Sequence, residues 1–298
     1  MIRILFSLFM LWTVWLPTAH GQNVLKSGQL IACGDDKVFI IDPMKSNAKH
    51  TEMVWQWNAA DAPDVSEEYK RYLKSLDECK PVMDNTKLLV CSSSGATLLI
   101  DIASKAVEFY AKTPMAHSVD LLPGNRIAVA NSTHKDGNNL ELYDLAASEN
   151  RLFTDTLYSG HGVVWDAKRE RLFVLGYQLL KAYSLSDWEG SNPTLTLENS
   201  WTIPDESGHD LSLVDEDHLL ITTHHSVFNF DIEKQTFNEF RPLKGRENVK
   251  SVNYFPDQNK LVYTIAEESW WTENIYLTNP NKTISLPGVR LYKVRVAL

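Results

Sequence analysis

The sequence predicts an all-β chain closed into one β-propeller of six blades, with seven as the competing count. Three observations carry this. A strand–turn–strand unit recurs with its anchor residues 117, 161, 209 and 250 spaced 44, 48 and 41 residues apart. Internal periods of about 40–50 residues mark propellers and solenoids. Each unit continues into a third β-rich strand, such as Leu140-Glu141-Leu142-Tyr143-Asp144 or Val227-Phe228-Asn229-Phe230-Asp231. Strand-like segments also stand alone at both ends of the chain, as the two parts of one split blade would.

Four copies of the unit align directly. They begin at Ala116-His117-Ser118-Val119, Gly160-His161-Gly162-Val163, Gly208-His209-Asp210-Leu211 and Val249-Lys250-Ser251-Val252. Each runs into a polar turn and then an apolar strand, for example Pro123-Gly124-Asn125 before Ile127-Ala128-Val129. A fifth, with a shortened turn, is Glu78-Cys79-Lys80-Pro81-Val82 followed by Leu88-Leu89-Val90-Cys91. The sixth is split between Leu30–Gly34 with Val38–Asp42 and the final Leu291–Val296. A closing strand from the far terminus would complete the first blade and hide the sheet edges. Between the first two blades, Tyr69, Tyr72, Leu73 and Leu76 have helical spacing after Glu67-Glu68. A short surface helix over one channel end is expected near 65–76.

Residues 1–21 read as a signal peptide. Arg3 precedes an apolar run from Ile4 to Leu16, and small residues at 17–21 suit cleavage before Gln22. That run is short for a membrane span of about 20 residues. The expectation is a propeller domain over 22–298, periplasmic or extracellular and without a membrane anchor. The formal charge of −9 and the lack of a basic face argue against a nucleic-acid partner. Export permits disulfides among Cys33, Cys79 and Cys91. Cys79 and Cys91 lie symmetrically about Asn85, so a symmetric hairpin would bring them together, and a one-residue slip would part them.

Inner propeller strands run along the central channel, so equivalent positions on them form a ring. This alignment places Lys80, His117, His161, His209 and Lys250 there, with Glu78 two residues before Lys80. Three chemistries fit. Lysines and partly protonated histidines would hold a carboxylate, sulfate or phosphate. His117, His161 and His209 would alternatively hold a divalent metal as cofactor, which the two lysines disfavour. His161, His209 or Lys250 would also serve as acid or base beside a uronate carboxylate. In a fourth, structural reading, the ring only bonds neighbouring blades. Trp270 and Trp271, on the insertion 266–273, are placed to stack on a sugar ring. His134 and the pair His224-His225 sit on connecting segments and fit either channel-mouth or solvent positions. Trp165 fits ordinary packing.

At Asp77-Glu78-Cys79-Lys80-Pro81, Ala116-His117-Ser118, Gly160-His161-Gly162, Gly208-His209-Asp210 and Glu268-Ser269-Trp270-Trp271, the chain resembles a domain-of-unknown-function family of secreted bacterial six-bladed β-propellers. That resemblance covers the whole mature chain and implies the fold and export, with no activity. The histidine-bearing channel is more distantly similar to that of oligogalacturonate lyases, which use a histidine-held metal. Lys80 and Lys250 depart from such a site.

The expectation is therefore an exported propeller that binds a small acidic, saccharide-type ligand in its channel. Glu78, Lys80, His117, His161, His209, Lys250 and Trp270 are the candidate contacts, and no cofactor is favoured. A lyase or hydrolase of acidic glycans is the alternative, followed by a protein-binding scaffold with a structural ring.

Overall fold

The structure is a computed structural model that describes residues 25–298, so the expected export segment lies outside the described residues. Six four-stranded antiparallel sheets follow one another as blades. Blade 1 runs from the outer strand Met53–Asn58 through Lys37–Ile41 and Leu30–Gly34 to the innermost strand, Leu291–Val296. Blades 2 to 6 each run outward from an inner strand: Leu76–Val82, Ala116–Leu122, Gly162–Asp166, Asp210–Asp215 and Val249–Phe255. The expected count of six and the shared first blade both hold. Closure is in register at Leu30 with Val296, Ile31 with Arg295 and Ala32 with Val294. This pairing satisfies the backbone groups of an otherwise open edge.

The core lies between blades, because strand side chains alternate between the two faces of each sheet. In blade 1, Ile31, Cys33, Val38 and Ile40 pack toward blade 2, whereas Leu30, Ala32, Phe39 and Ile41 pack toward blade 6. These residues are almost wholly buried, each large one contributing about 1.5–3 kcal/mol relative to exposure. A glycine is required where blades 4 and 5 approach: a Cβ on Gly162 would lie 2.5 Å from Leu211 Cβ.

One local expectation is corrected, and one open question of register is resolved. The helix is one turn, Glu67–Lys70, with Ser66 Oγ accepting from Tyr69 N. Leu73 and Leu76 are instead pulled into the core between blades 1 and 2, with Leu76 opening an inner strand. Tertiary burial overrides helical spacing here. The turn also does not cover the channel: Tyr69 packs 4.9 Å from Tyr110, on the outer strand Val107–Lys112. Cys79 and Cys91 do not face each other, because Cys79 pairs with Val90 and Cys91 with Glu78. The one-residue offset puts their side chains on opposite faces of blade 2. All three cysteines are free and buried.

Candidate site at the channel mouth

The upper channel mouth is built by a repeated β-bulge. In blade 3, Ala116 faces Asn131 and Ser118 faces Ala130, which leaves His117 as the extra residue. Lys250 is bulged in the same way in blade 6, and Asp77 in blade 2. His161 and His209 share a partner with the residue after each, through Leu175 O and Thr222 O. Tyr292 lies in the corresponding irregularity of the closing strand. The ring at this register is therefore Asp77, His117, His161, His209, Lys250 and Tyr292. Bulges re-aim side chains, and they are common beside functional sites. Two residues before the ring, Met115, Ser159, Ser207 and Asn248 adopt positive φ of 50–62°. The first two of these turn their carbonyls onto the ring imidazoles.

Lys80 is not in this ring. It lies three residues further down its strand, level with Asp120 and Arg295, where Nζ donates to Val163 O and lies 3.4 Å from Asp120. With Trp165 and Asn253 it lines a cavity of about 280 Å³ at the opposite channel mouth. The fifth copy of the unit is out of step with the other four, because the bulge sets its register at Asp77.

The ring groups are close together. His117 and His161 have centroids 4.3 Å apart, and His161 and His209 are 5.8 Å apart. Tyr292 is 5.7 Å from His117, and Trp270 lies 6.1 Å beyond Tyr292 at the rim. His117 Nδ1 donates to Met115 O and His161 Nδ1 to Ser159 O, both at 2.9 Å. In the neutral form, each then presents an Nε2 lone pair. His209 Nε2 accepts from Lys250 Nζ at 2.8 Å, and its buried Nδ1 has no partner. His224 stands 6.3 Å from His209, and His225 bonds Asp205 at 3.0 Å. His134 lies on an exposed loop, where its Nδ1 accepts from Asp136 N.

One layer below the ring, four buried charges close the channel. Arg295 donates to Glu78 at 2.7 and 2.6 Å and to Asp210 at 2.8 and 2.6 Å. Lys293 lies 3.1 Å from Asp210 and donates to the carbonyls of His117 and His161 at 3.0 Å. Glu78, expected to touch ligand, is thus consumed inside a neutral plug of two acids and two bases.

Burial is the main cause of the ring's shifted titrations. It lowers His117 to about 4, with Lys293 and Lys250 adding to the effect. It lowers His209 to about 2, with Lys250 next in weight, and holds His161 well below its ordinary value beside the other two histidines. Burial and then Lys293 lower Lys250 to about 8. Burial raises Asp77 to about 7, against a hydrogen bond from Ser93. At neutral pH the ring therefore holds neutral imidazoles, the Lys250 ammonium and a half-ionised Asp77. Among the described residues, Lys250 has no carboxylate within ion-pair distance, and no group of three metal-type side chains gathers. For a metal, His117 and His161 offer free lone pairs, whereas His209 Nε2 is already engaged by Lys250.

Residues 31–298 match the model of a family of unknown function, DUF6528. The chain belongs to that family. No curated protein is detectably similar to this DUF6528 member. Among solved structures it is similar to a chain from "Crystal structure of Nidogen/Laminin Complex", with 14% identity and a TM-score of 0.61. That likeness covers 91% of this chain and 98% of the other. It shows a common fold. Sequence reasoning missed Asp77, Tyr292, Lys293 and Arg295. The last three come from the closing strand, whose register against the other inner strands no repeat could supply.

Proposed function

We propose that this exported propeller binds a small acidic ligand, of the saccharide-acid class, at the ring of side chains above the plug. The observation that carries the reading is Lys250: an ammonium only 6% exposed, bonded to His209 and, among the described residues, lacking a carboxylate partner. A buried charge is normally paired. A carboxylate or sulfate at the ring would supply the missing partner, with charge-assisted hydrogen bonds to Lys250. Trp270, 36% exposed beside Tyr292, offers an aromatic face for a sugar ring at the rim.

Titration calorimetry with D-galacturonate, and with neutral D-galactose as control, tests the reading. Galacturonate is expected to bind at least 10-fold more tightly than galactose, a gap of about 1.4 kcal/mol. Lys250→Met should remove that preference. Equal binding of the two sugars, or no binding of either, would overturn the proposal. So would stabilisation by Mn²⁺ or Zn²⁺ that disappears in His161→Ala. The lyase alternative draws support from the lowered Lys250, since a lysine near neutrality suits proton abstraction. Unsaturated uronate absorbance on incubation with acidic oligosaccharides would mark it.

A further inference from the structure

Cys33 and Cys79 are fully buried and stand on facing strands of blades 1 and 2. Cys33 shares the blade 1 face of Ile31, which packs against blade 2. Cys79 shares the blade 2 face of Leu88 and Val90, which packs back against blade 1. The Cys79 thiol donates to Ile31 O at 3.6 Å, two residues before Cys33. Cys33 and Cys79 lie in one buried cluster, where the strands Leu30–Gly34 and Leu76–Val82 pack against each other. Cys91 belongs to the opposite face of blade 2, among the residues packed toward blade 3.

We propose that Cys33 and Cys79 are a disulfide site that ties blade 1 to blade 2 when the chain folds with a small disulfide as oxidant. One thiol, deprotonated, attacks the oxidant to form a mixed disulfide and release one thiol. The second protein thiolate then displaces the remaining half. Two protein thiols and one oxidised glutathione thus become one protein disulfide and two reduced glutathiones. The bridge encloses the two outer strands of blade 1 and the helical turn, so it restrains the blade on which the ring closes. Both thiols lie beyond solvent, so exchange takes place before blades 1 and 2 pack, and the packed pair is inert. The site is independent of the ring proposed to hold the anion.

The test refolds the reduced full chain in a glutathione redox buffer and isolates the folded fraction by size exclusion. Free thiols are then alkylated under denaturing conditions and counted by mass spectrometry. One free thiol, on Cys91, and a peptide cross-link between Cys33 and Cys79 are expected. Cys91→Ser should keep the bridge, and Cys33→Ser should leave two free thiols. Adding oxidant only after folding should leave all three thiols free. Three free thiols in chain folded with oxidant would overturn the proposal. A bridge through Cys91, or a misfolded oxidised chain beside a folded reduced one, would do the same.

Discussion

Asp77 shares the channel mouth with three histidines, and its titration is shifted in the opposite direction from theirs. Its carboxyl is raised from 3.8 to about 7 by burial. Between those values the unfolded chain is ionised while the folded one still holds its proton. Asp77 therefore costs no stability below the unfolded value and an increasing amount as pH rises toward 7. The full cost, from about three pKa units, is on the order of 4 kcal/mol. His117 has the opposite sign. Its folded value of about 4 lies below the ordinary 6.5, so its stabilisation is complete above about 6.5 and fades as pH falls toward 4. Asp77→Asn keeps an oxygen to accept from Ser93 N and removes the charge. Urea melts should show it more stable than the parent by about 2–4 kcal/mol at pH 8 and nearly equal at pH 4. Equal gains at both pH values would mean that Asp77 is not the group that titrates.

The closing strand, Leu291–Val296, completes blade 1 and delivers both cations of the plug. Removing one partner from a buried ion pair leaves an uncompensated charge and costs about 3–5 kcal/mol. Arg295→Met should lose that much in urea unfolding, because Glu78 and Asp210 would then share Lys293 alone. Adding Glu78→Gln should restore part of the loss, since Asp210 with Lys293 is again a balanced pair. Full additivity of the two changes would show that the plug is not one coupled network. The element scale also separates what the sequence reveals from what it hides. Strand alternation, polar turns and the split first blade are local patterns, and they were readable. The ring histidines were readable too, because three blades repeat the same residue. The ring position of Asp77 was hidden because a bulge shifts the register by less than any spacing rule resolves. The plug was hidden because Glu78 and Arg295 are 217 residues apart, and only ring closure unites them. Whether Cys79 and Cys91 face each other was left open for a related reason: a one-residue slip decides it, and the hairpin pairs Cys79 with Val90.

Across the whole molecule, charge along the channel is balanced at the plug and unbalanced at the side chains above it. Six blades converge there, so the imbalance bears on the stability of the entire ring. Lys250 is lowered from 10.5 to about 8 by burial and then by Lys293. Between about 8 and 10.5 the unfolded chain keeps a proton that the folded chain has released. Stability from this group is therefore greatest above 10.5 and is lost as pH falls through 8. At neutral pH the free propeller carries the cost of a buried ammonium that has no carboxylate at ion-pair distance among the described residues. Lys250→Met should then stabilise the ligand-free protein by about 2 kcal/mol at pH 7, with the gain shrinking above pH 10. In the parent, saturating galacturonate should also raise the melting temperature, by mass action on the folded state. In Lys250→Met that rise should vanish, because the charge that the anion would neutralise is gone. A binding site that weakens its own scaffold until filled is the usual trade between stability and function. If Lys250→Met instead lowers the melting temperature at pH 7, Lys250 would be a structural strut between blades 5 and 6.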